Sequence, residues 1–275
     1  MNYLKCPKCN KQLTKINNSY KCDEGHSYDI SKKGYVNMML ANQGHSLESG
    51  DKKDMVIARS NFLDSDKYKI LRDSLIKVID DISNDNDTFC DIACGEGYYT
   101  NEIHRIISAK KHFSTCGIDI SKPAINHASS RKNISKLENI NYFVGNMDYL
   151  PFLDHSFNIT LNCFAPINAQ EFNRVTKENG YYIRVLPGEY HLYELKEFLY
   201  PEVHLNIPKI EDVEGFSFIK EISVKDIIHL NNEEILNLFT MTPYYYKTSM
   251  ESKERLKNLD SLSTQIQFVI RIYKK

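Results

Sequence analysis

The pattern of apolar and polar positions divides the chain into three zones. Residues 1–45 hold short polar turns and no long apolar period. Residues 46–82 place apolar side chains such as Met55, Ala58 and Phe62 at helical spacing, which predicts a helical segment. From Thr88 onward, short apolar runs alternate with amphipathic stretches. This alternation predicts strands that alternate with helices.

The third zone predicts an α/β fold built on a parallel, Rossmann-like sheet, because strand–helix–strand units form right-handed crossovers. Residues 177–180 predict a turn, and Ser121 is expected to cap a helix. The end of the chain differs, with two strand-like stretches around one helix. The predicted strands are 88–93, 113–120, 140–146, 157–164, 181–187, 216–230 and 264–275, and the predicted helices are 97–108, 121–132, 169–176 and 233–239.

Composition places the chain among ordinary globular proteins. Hydrophobic residues make up 41% and charged residues 26%, and the formal net charge is −1, so any surface that binds nucleic acid must be local. No apolar run approaches the ~20 residues of a membrane span, and the first residues lack the apolar core of a signal peptide. We therefore expect a cytoplasmic protein whose cysteines stay reduced.

Four residues near the N-terminus have the spacing of a metal site. Cys6 and Cys9 are separated by two residues, and Cys22 and His26 by three, with twelve residues between the pairs. Three thiolates and one imidazole complete a zinc tetrahedron without an open position, which predicts a structural site. The alternatives are a redox Cys-x-x-Cys pair or an unliganded cluster. The predicted domains are a zinc-ribbon module at 1–45 and a larger domain at 46–275.

The predicted module is locally basic. It carries seven lysines and three acidic residues, an excess of four positive charges in a chain whose net charge is −1. Such a surface can contact phosphates, although a solvated lysine surface explains the charge equally well.

A second constellation follows the first strand of the α/β zone. Asp91 precedes the glycine-rich run Ala93–Cys94–Gly95–Glu96–Gly97–Tyr98, and glycines there allow a tight turn and close approach of a ligand. Asp119, followed by Ile120, ends the next strand, where a carboxylate accepts hydrogen bonds from ribose hydroxyls. This spacing fits either a dinucleotide or S-adenosylmethionine.

Three details favour S-adenosylmethionine. The loop lacks the G-x-G-x-x-G order of dinucleotide sites, and Asp91 stands where it can receive the ammonium group of the cofactor. Asn146 and Met147 end the third strand, where an amide holds adenine and a thioether packs on its face. Taken singly, each of these residues also fits a turn or a core position.

With these features, the chain resembles a known family, the bacterial 23S ribosomal RNA guanine-N1 methyltransferases (the RlmA family). The zinc ligands, the loop DIACGEGYYT and the segments GYVN and LFTMTPYYY carry the resemblance together with longer stretches that keep their order. Those stretches are residues 28–40, 49–75, 117–125, 150–158, 165–180 and 185–205. The resemblance spans nearly the whole chain.

The resemblance implies a Rossmann-like class I methyltransferase sheet that carries the zinc ribbon. It also implies that Tyr68 and His191 contact S-adenosylmethionine, that the acceptor is N1 of a guanine in a 23S ribosomal RNA hairpin, that the zinc module helps to recognise RNA, and that the protein is a homodimer. Ala93 departs from the family, in which glycine is common. Its methyl group is expected to weaken cofactor binding.

Candidates for the acceptor site follow the fourth strand. Asn162 and Phe164 lie in an Asn-Cys-Phe-Ala-Pro run that is weakly similar to the motif of base-amino methyltransferases, and Phe164 can stack on a flipped guanine. The plainer interpretation puts Cys163 and Phe164 in the strand core. Cys90, Cys94 and Cys116 are interpreted as small buried apolar residues. The tyrosines at 244–246 suit RNA stacking or an apolar patch equally.

The sequence is compatible with three functions. The first is methylation of ribosomal RNA, and the second is methylation of another RNA, a small molecule or a protein. The third is RNA binding without catalysis, which the intact Asp91, Gly95, Gly97 and Asp119 oppose. Guanine N1 must lose a proton when it is methylated, and the sequence names no group that accepts this proton.

Overall fold

The computed structural model describes residues 3–40 and 50–275. The strands are β1 (Thr14–Ile16), β2 (Ser19–Lys21), β3 (Ser27–Asp29), β4 (Val36–Asn37), β5 (Asp87–Ile92), β6 (Phe113–Asp119), β7 (Ile140–Val144), β8 (Phe157–Cys163), β9 (Thr176–Pro187), β10 (Ser217–Asn231) and β11 (Ser261–Lys274). The helices are α1 (Lys53–Asp64), α2 (Lys69–Ile82), α3 (Tyr98–Ser108), α4 (Lys122–Ile134), α5 (Ala169–Val175), α6 (Tyr193–Leu199), α7 (Asn232–Met241), α8 (Tyr244–Lys247) and α9 (Met250–Lys257).

Eight strands form one central sheet in the order β10-β11-β9-β8-β5-β6-β7-β4. The six strands from β9 to β4 run parallel to one another, as predicted. β5, β6 and β8 are buried along most of their length because helices cover both sides of a parallel sheet. Ser121 caps α4, as predicted, by accepting a hydrogen bond from the Ala124 amide.

The last two strands extend this sheet in the antiparallel sense. β11 pairs with β9 on one side and with β10 on the other, and β10 forms the outer edge. A first apolar cluster joins α2, α3, α6 and α7 to one face of the sheet. A second cluster joins α5 and the N-terminal residues to the other face.

Two local predictions were wrong in detail. Residues 177–180 are not a turn before a strand. They are an irregular part of β9, where the register jumps from Phe157–Thr176 to Ile159–Tyr181 and Asn179 takes a φ of +61°. The predicted helical segment 46–82 is two helices, because Asp66, with a φ of +61°, breaks the chain between α1 and α2.

The N-terminal residues fold onto the larger domain. β1, β2 and β3 form their own antiparallel sheet, but β4 pairs with β7 and so belongs to the central sheet. Tyr3 packs against Phe152 and Phe157, at ring-centroid distances of 5.8 and 5.2 Å. The small ribbon therefore shares a core with the larger domain. The predicted boundary at 45/46, like residues 46–49 of the predicted helical segment, lies outside the described residues.

The described part of the chain contains no helix that is both long and apolar enough to cross a membrane.

Candidate cofactor pocket and metal centre

The loop between β5 and α3 turns through three left-handed residues. Ala93, Gly95 and Gly97 have φ values of +63°, +56° and +81°. A Cβ atom at Gly97 would lie 2.8 Å from Ala128 Cβ and 2.9 Å from Tyr142 Oη, so close packing requires glycine there. A Cβ atom at Gly95 would meet no described atom within 4 Å. The loop is thus tightly packed at Gly97 and has open space at Gly95, where a ligand can approach the backbone closely.

Ala93 occupies a backbone conformation that favours glycine, so Ala93→Gly is expected to stabilise the fold. An L-residue in the left-handed region costs about 1–2 kcal/mol, which glycine avoids. The greater conformational freedom of glycine in the unfolded state offsets about 0.5–1 kcal/mol of this gain. We expect chemical denaturation to show a gain of up to about 1 kcal/mol. The control Ala128→Gly, inside α4, should destabilise the protein. Equal losses in both variants would contradict the strain at Ala93.

Asp119 fixes the position of this loop. Its Oδ2 accepts a hydrogen bond from the Gly95 amide at 2.8 Å, and its Oδ1 accepts one from the Ser121 amide at 2.8 Å. Burial raises the pKa of Asp119, and these two hydrogen bonds oppose that rise. The carboxylate is held at the carboxyl end of β6, half exposed, with lone pairs left for further donors.

Asp91 lies beneath the loop and is nearly fully buried. Its Oδ2 accepts a hydrogen bond from Thr100 Oγ1 at 2.5 Å, while its Oδ1 has no partner among the described residues. Burial raises the pKa of this carboxyl to about 7, and the nearby charge of Asp119 adds to the rise. A buried carboxylate oxygen without a partner is costly, so this oxygen fits a ligand that brings a positive donor.

Two side chains of the predicted pocket face protein partners instead. Glu96 is buried and pairs with Arg131 Nε of α4 at 2.6 Å. The Tyr98 hydroxyl accepts a hydrogen bond from Arg72 Nη1 of α2 at 2.9 Å. These contacts tie the loop to α4 and α2. Of Glu96 and Tyr98, only the backbone atoms remain available to contact a ligand.

The neighbouring strand ends supply the other predicted contacts. Ile120 and Met147 are half-buried where β6 and β7 end, and the side-chain oxygen Oδ1 of Asn146 accepts a hydrogen bond from the Asp148 backbone amide at 2.9 Å. The amide group of Asn146 keeps its two donors for a ligand. Because β5, β6 and β7 are parallel neighbours, these residues share one edge of the sheet with Asp91 and Asp119.

Tyr68 and His191 meet, although 123 residues separate them. Tyr68 Oη lies 3.3 Å from His191 Nε2. The Gln267 amide donates to His191 Nδ1 at 3.2 Å, which places the imidazole proton on Nε2. Burial lowers the pKa of His191 to about 3. This imidazole is neutral, and neither of its nitrogens is free to accept a proton.

The acceptor candidates lie at the end of β8. Asn162 is fully buried, and its amide group donates to the carbonyl oxygens of Ile92 and Pro166, both at 3.3 Å. Its Oδ1 has no partner among the described residues. Phe164 is 39% exposed and has a φ of +59°, so its interpretation as strand core was wrong. Cys163 is half-buried and packs against the first cluster.

Phe268 of β11 joins these groups. Its ring lies 4.9 Å from Tyr68, 4.8 Å from His191 and 5.8 Å from Phe164, measured between ring centroids. Sequence analysis missed both Phe268 and Gln267. Both lie in the predicted strand 264–275. Phe268 is apolar and is therefore interpreted as core, and Gln267 contributes only its backbone amide, which no side-chain pattern reveals.

The four predicted metal ligands come together. Their ligand atoms all lie within 4.8 Å of one another, with Cys9 Sγ 3.6 Å from Cys22 Sγ and His26 Nδ1 3.4 Å from Cys22 Sγ. Zinc–sulfur bonds of about 2.3 Å in a tetrahedron place sulfurs about 3.8 Å apart, so the cluster has the dimensions of a zinc site. Two tight turns position the ligands, through Asn10 N–H to Cys6 C=O at 2.8 Å and Gly25 N–H to Cys22 C=O at 3.0 Å.

The surroundings of Cys6 favour its thiolate. Burial opposes ionisation, but hydrogen bonds from the Tyr28 hydroxyl and from backbone amides outweigh it and lower the pKa of Cys6 to about 6. Zinc binds the thiolate form of cysteine, so these contacts suit a ligand. Cys90 and Cys116 are fully buried, as predicted, whereas Cys94 is half-buried.

Comparison with known proteins identifies both parts of the chain. The family model described as RlmA, N-terminal, matches residues 4–47, and the model described as Methyltransferase domain matches residues 83–239. YxjB of Bacillus subtilis, named as a candidate 23S rRNA (guanine-N(1)-)-methyltransferase, is 27% identical over 99% of this chain and 97% of its own. The 23S rRNA (guanine(748)-N(1))-methyltransferase of Streptomyces fradiae is 29% identical over 72% of this chain and 68% of its own.

Solved structures share the fold at low sequence identity. YcgJ of Bacillus subtilis has a TM-score of 0.50 at 18% identity, covering 74% of this chain and 97% of its own. The [4+2]-cyclase SpnF has the same TM-score at 13% identity, covering 74% of this chain and 81% of its own. The resemblance to the RlmA family is confirmed, and the chain belongs to the methyltransferase domain family, with the fold of S-adenosylmethionine-dependent methyltransferases and an N-terminal zinc ribbon of the RlmA type.

Proposed function

We propose that this protein methylates N1 of a guanine in 23S ribosomal RNA. The observation that carries the proposal is that one sheet joins an RlmA-type zinc ribbon, through β4, to the methyltransferase loop. Beneath that loop, the buried Oδ1 of Asp91 has no hydrogen-bond donor among the described residues. The relatives that match over most of the chain are named for this reaction. An enzyme of this kind acts in the cytoplasm, where ribosomal RNA is made.

S-adenosylmethionine supplies an activated methyl group when it is bound. We assign its binding to the loop and to the strand ends beside it, with Asp91 receiving the ammonium group and Asp119 the ribose hydroxyls. Glu96 and Tyr98 contribute backbone, because their side chains are engaged by Arg131 and Arg72. The full proposed set is Tyr68, Asp91, Ala93, Gly95, Glu96, Gly97, Tyr98, Asp119, Ile120, Asn146, Met147 and His191.

The acceptor base is proposed to stack on Phe164, which is exposed beside the aromatic cluster of Tyr68, His191 and Phe268. Guanine N1 gains the methyl group and loses its proton. His191 does not take that proton, because both of its nitrogens are engaged. We therefore assign His191 a positioning role and propose that water or a group of the RNA accepts the proton.

Ionisation of Asp91 predicts a pH-dependent affinity. The ammonium group needs the ionised carboxylate, which exists above a pKa of about 7 and is lost as the pH falls below it. Affinity for S-adenosylmethionine should fall on the order of tenfold from pH 7.5 to pH 6. Equilibrium dialysis should show this slope in the wild type and a weak, flat profile in Asp91→Asn. A flat wild-type profile would contradict the assignment.

A basic groove supports the RNA part of the proposal. It measures about 460 Å³ and lies between the ribbon, α1 and α4. Lys33, Lys53 and Lys122 line it together with Tyr35 and Ile57, and none of its lining residues is acidic. Lysines over an apolar floor suit phosphates and the sugar or base beside them. The groove also opens at the N-terminus of α4, whose dipole favours anions.

Charge reversal in the groove should weaken RNA binding. Lys53→Glu with Lys122→Glu is expected to lower affinity for a 23S hairpin at least tenfold and to reduce the salt dependence, because fewer counterions are released. Filter binding at several salt concentrations measures both effects. The control is Lys69→Glu with Lys77→Glu, two exposed reversals on α2 that change the net charge by the same amount. Equal effects of the two changes would point to net charge alone.

The proposal extends to a homodimer, which the resemblance implies. The direct test of the proposed function is transfer of labelled methyl groups to a 23S hairpin transcript, followed by nucleoside mass spectrometry. We expect 1-methylguanosine, and none when the unpaired guanines are replaced by adenine. Methylation at another atom, or no transfer to RNA, would refute the proposal.

A further inference from the structure

A short helix of tyrosines lies beside the proposed cofactor pocket. α8 consists of three consecutive tyrosines, at 244–246, and one lysine. Tyr244 packs against the first apolar cluster, to which Tyr68 belongs, and its ring centroid lies 6.1 Å from that of Tyr200. Burial raises the pKa of Tyr68, and the nearby Tyr244 hydroxyl adds to the rise. The first of the three tyrosines therefore anchors α8 close to Tyr68.

The other two tyrosines are exposed. Tyr245 is 38% exposed and Tyr246 is 60% exposed. Their rings meet edge to face with centroids 5.4 Å apart, and Tyr245 also contacts Phe239 of α7 at 5.7 Å. The Tyr246 hydroxyl donates a hydrogen bond to Met55 Sδ of α1 at 3.0 Å. Both rings are thus held in place while much of their surface faces solvent, and adjacent exposed apolar groups of this kind mark sites of interaction.

Basic side chains accompany these rings. Lys253 Nζ lies 4.7 Å from the centroid of the Tyr245 ring, and Lys247 is exposed at the end of α8. Residues 244–257 carry four basic and two acidic side chains, an excess of two positive charges in a chain whose net charge is −1. Proteins hold single-stranded nucleic acid by this combination, because aromatic rings stack on bases and cations contact phosphates.

We propose that Tyr245, Tyr246, Lys247 and Lys253, here called the tyrosine platform, bind an unpaired nucleotide next to the target guanine. The base of that nucleotide stacks on Tyr246, and its phosphate lies at Lys253. Tyr246 takes the base because it is the more exposed ring, whereas Lys253 already lies over the ring of Tyr245. The inference rests on the proposed function for the identity of the RNA, and it adds the contact that holds the flanking nucleotide.

The tyrosine platform adjoins the basic groove. Met55 of α1 contacts Tyr246, whereas Lys53, Val56 and Ile57 of the same helix line the groove. Only the beginning of α1 separates the two surfaces, so one RNA strand can contact both. Bases inside a double helix stack on one another and leave no free face, so the platform selects unpaired nucleotides. This selection suits a target guanine that must be unpaired or extruded.

Removal of the Tyr246 ring tests the stacking contact. Tyr246→Ala is expected to bind a 23S hairpin about tenfold more weakly than the wild type, and Tyr246→Phe, which keeps the ring, should bind like the wild type. The matched control is Phe218→Ala, which removes a ring of similar exposure to Tyr245 from β10 and should not change the affinity. Filter binding measures the affinity for RNA. Calorimetry should show wild-type affinity for S-adenosylmethionine in all three variants.

A hairpin that lacks one base identifies the stacked nucleotide. An abasic site, placed in turn on either side of the target guanine, should weaken wild-type binding about tenfold at one of the two positions. The same abasic RNA should bind Tyr246→Ala no more weakly than the intact hairpin does, because the ring and the base form one contact. If the role of Tyr246 were merely structural, the abasic site would weaken binding equally in the wild type and in the variant.

A fluorescent reporter provides a second measurement. The chain contains no tryptophan, so Tyr246→Trp introduces a single indole at the platform. A base that stacks on an indole quenches its fluorescence. The intact hairpin should therefore quench the signal of Tyr246→Trp, and the hairpin with the sensitive abasic site should not. Phe218→Trp, with its indole on β10, should show no quenching with either RNA.

Wild-type RNA affinity in Tyr246→Ala, or an abasic loss of equal size in that variant and the wild type, would overturn the inference. Formation of 1-methylguanosine by the wild type would then leave the proposed function intact. A wild type that neither binds nor methylates the hairpin would overturn both. If a protein occupied the tyrosine platform instead, RNA affinity would be the same in every variant, which also contradicts the inference.

Discussion

Asp119→Ala is expected to weaken S-adenosylmethionine binding by about a hundredfold or more. The change removes the proposed acceptor for the ribose hydroxyls, and it also frees the Gly95 and Ser121 amides that the carboxylate now holds. Hydrogen bonds to a charged group contribute about 1.5–3 kcal/mol each, and two of them correspond to a loss of at least two orders of magnitude.

Isothermal calorimetry measures this loss directly. The matched control is Asp148→Ala, which removes an exposed carboxylate near the end of β7 without touching the loop. Asp148→Ala should bind like the wild type. Asp119→Asn should bind almost as poorly as Asp119→Ala, because an amide group would face the Gly95 or Ser121 N–H. Affinity equal to the wild type in Asp119→Ala would refute the ribose assignment.

Cys22→Ser is expected to abolish zinc binding and to unfold the ribbon. Cys22 closes the second ligand turn, and the ribbon has little core of its own beyond what it shares with the larger domain. Apparent zinc affinities of about 10–16 kcal/mol in small ribbons imply that losing a ligand removes most of the folding energy of the module.

Elemental analysis should find one zinc per wild-type chain and much less in Cys22→Ser. Hydrogen exchange should show protection lost in β1–β3 and reduced at β4 and its partner β7, because β4 joins the two parts. Protection in β5 should persist. Cys163→Ser, which changes a cysteine outside the cluster, should keep its zinc. A ribbon that keeps full protection without metal would contradict the structural role.

Local patterns carried most of what the sequence predicted correctly. The strand–loop–helix around Gly95 and the four clustered ligands depend on residues within a few turns of one another, so spacing alone identifies them. The side chains of Glu96 and Tyr98 are paired with arginines, so they do not support the prediction that these side chains contact the cofactor. Arg131 and Arg72, which engage them, lie on other helices.

What the sequence could not show is long-range pairing. The Phe268 ring reaches Phe164 because β11 returns from the end of the chain to lie beside β9. β4 is only two residues long, and its place in the central sheet depends on pairing with β7 more than a hundred residues later. The exposure of Phe164 follows from its positive φ after β8, which no propensity of phenylalanine predicts.

The central claim is that this chain methylates guanine N1 in 23S ribosomal RNA. Mass mapping of that RNA from cells that lack the gene, complemented with the wild type or with Asp119→Ala, tests it most directly. We predict one 1-methylguanosine that is absent without the gene, restored by the wild type and not restored by Asp119→Ala. An identical set of guanine methyl groups in all three strains would contradict the account.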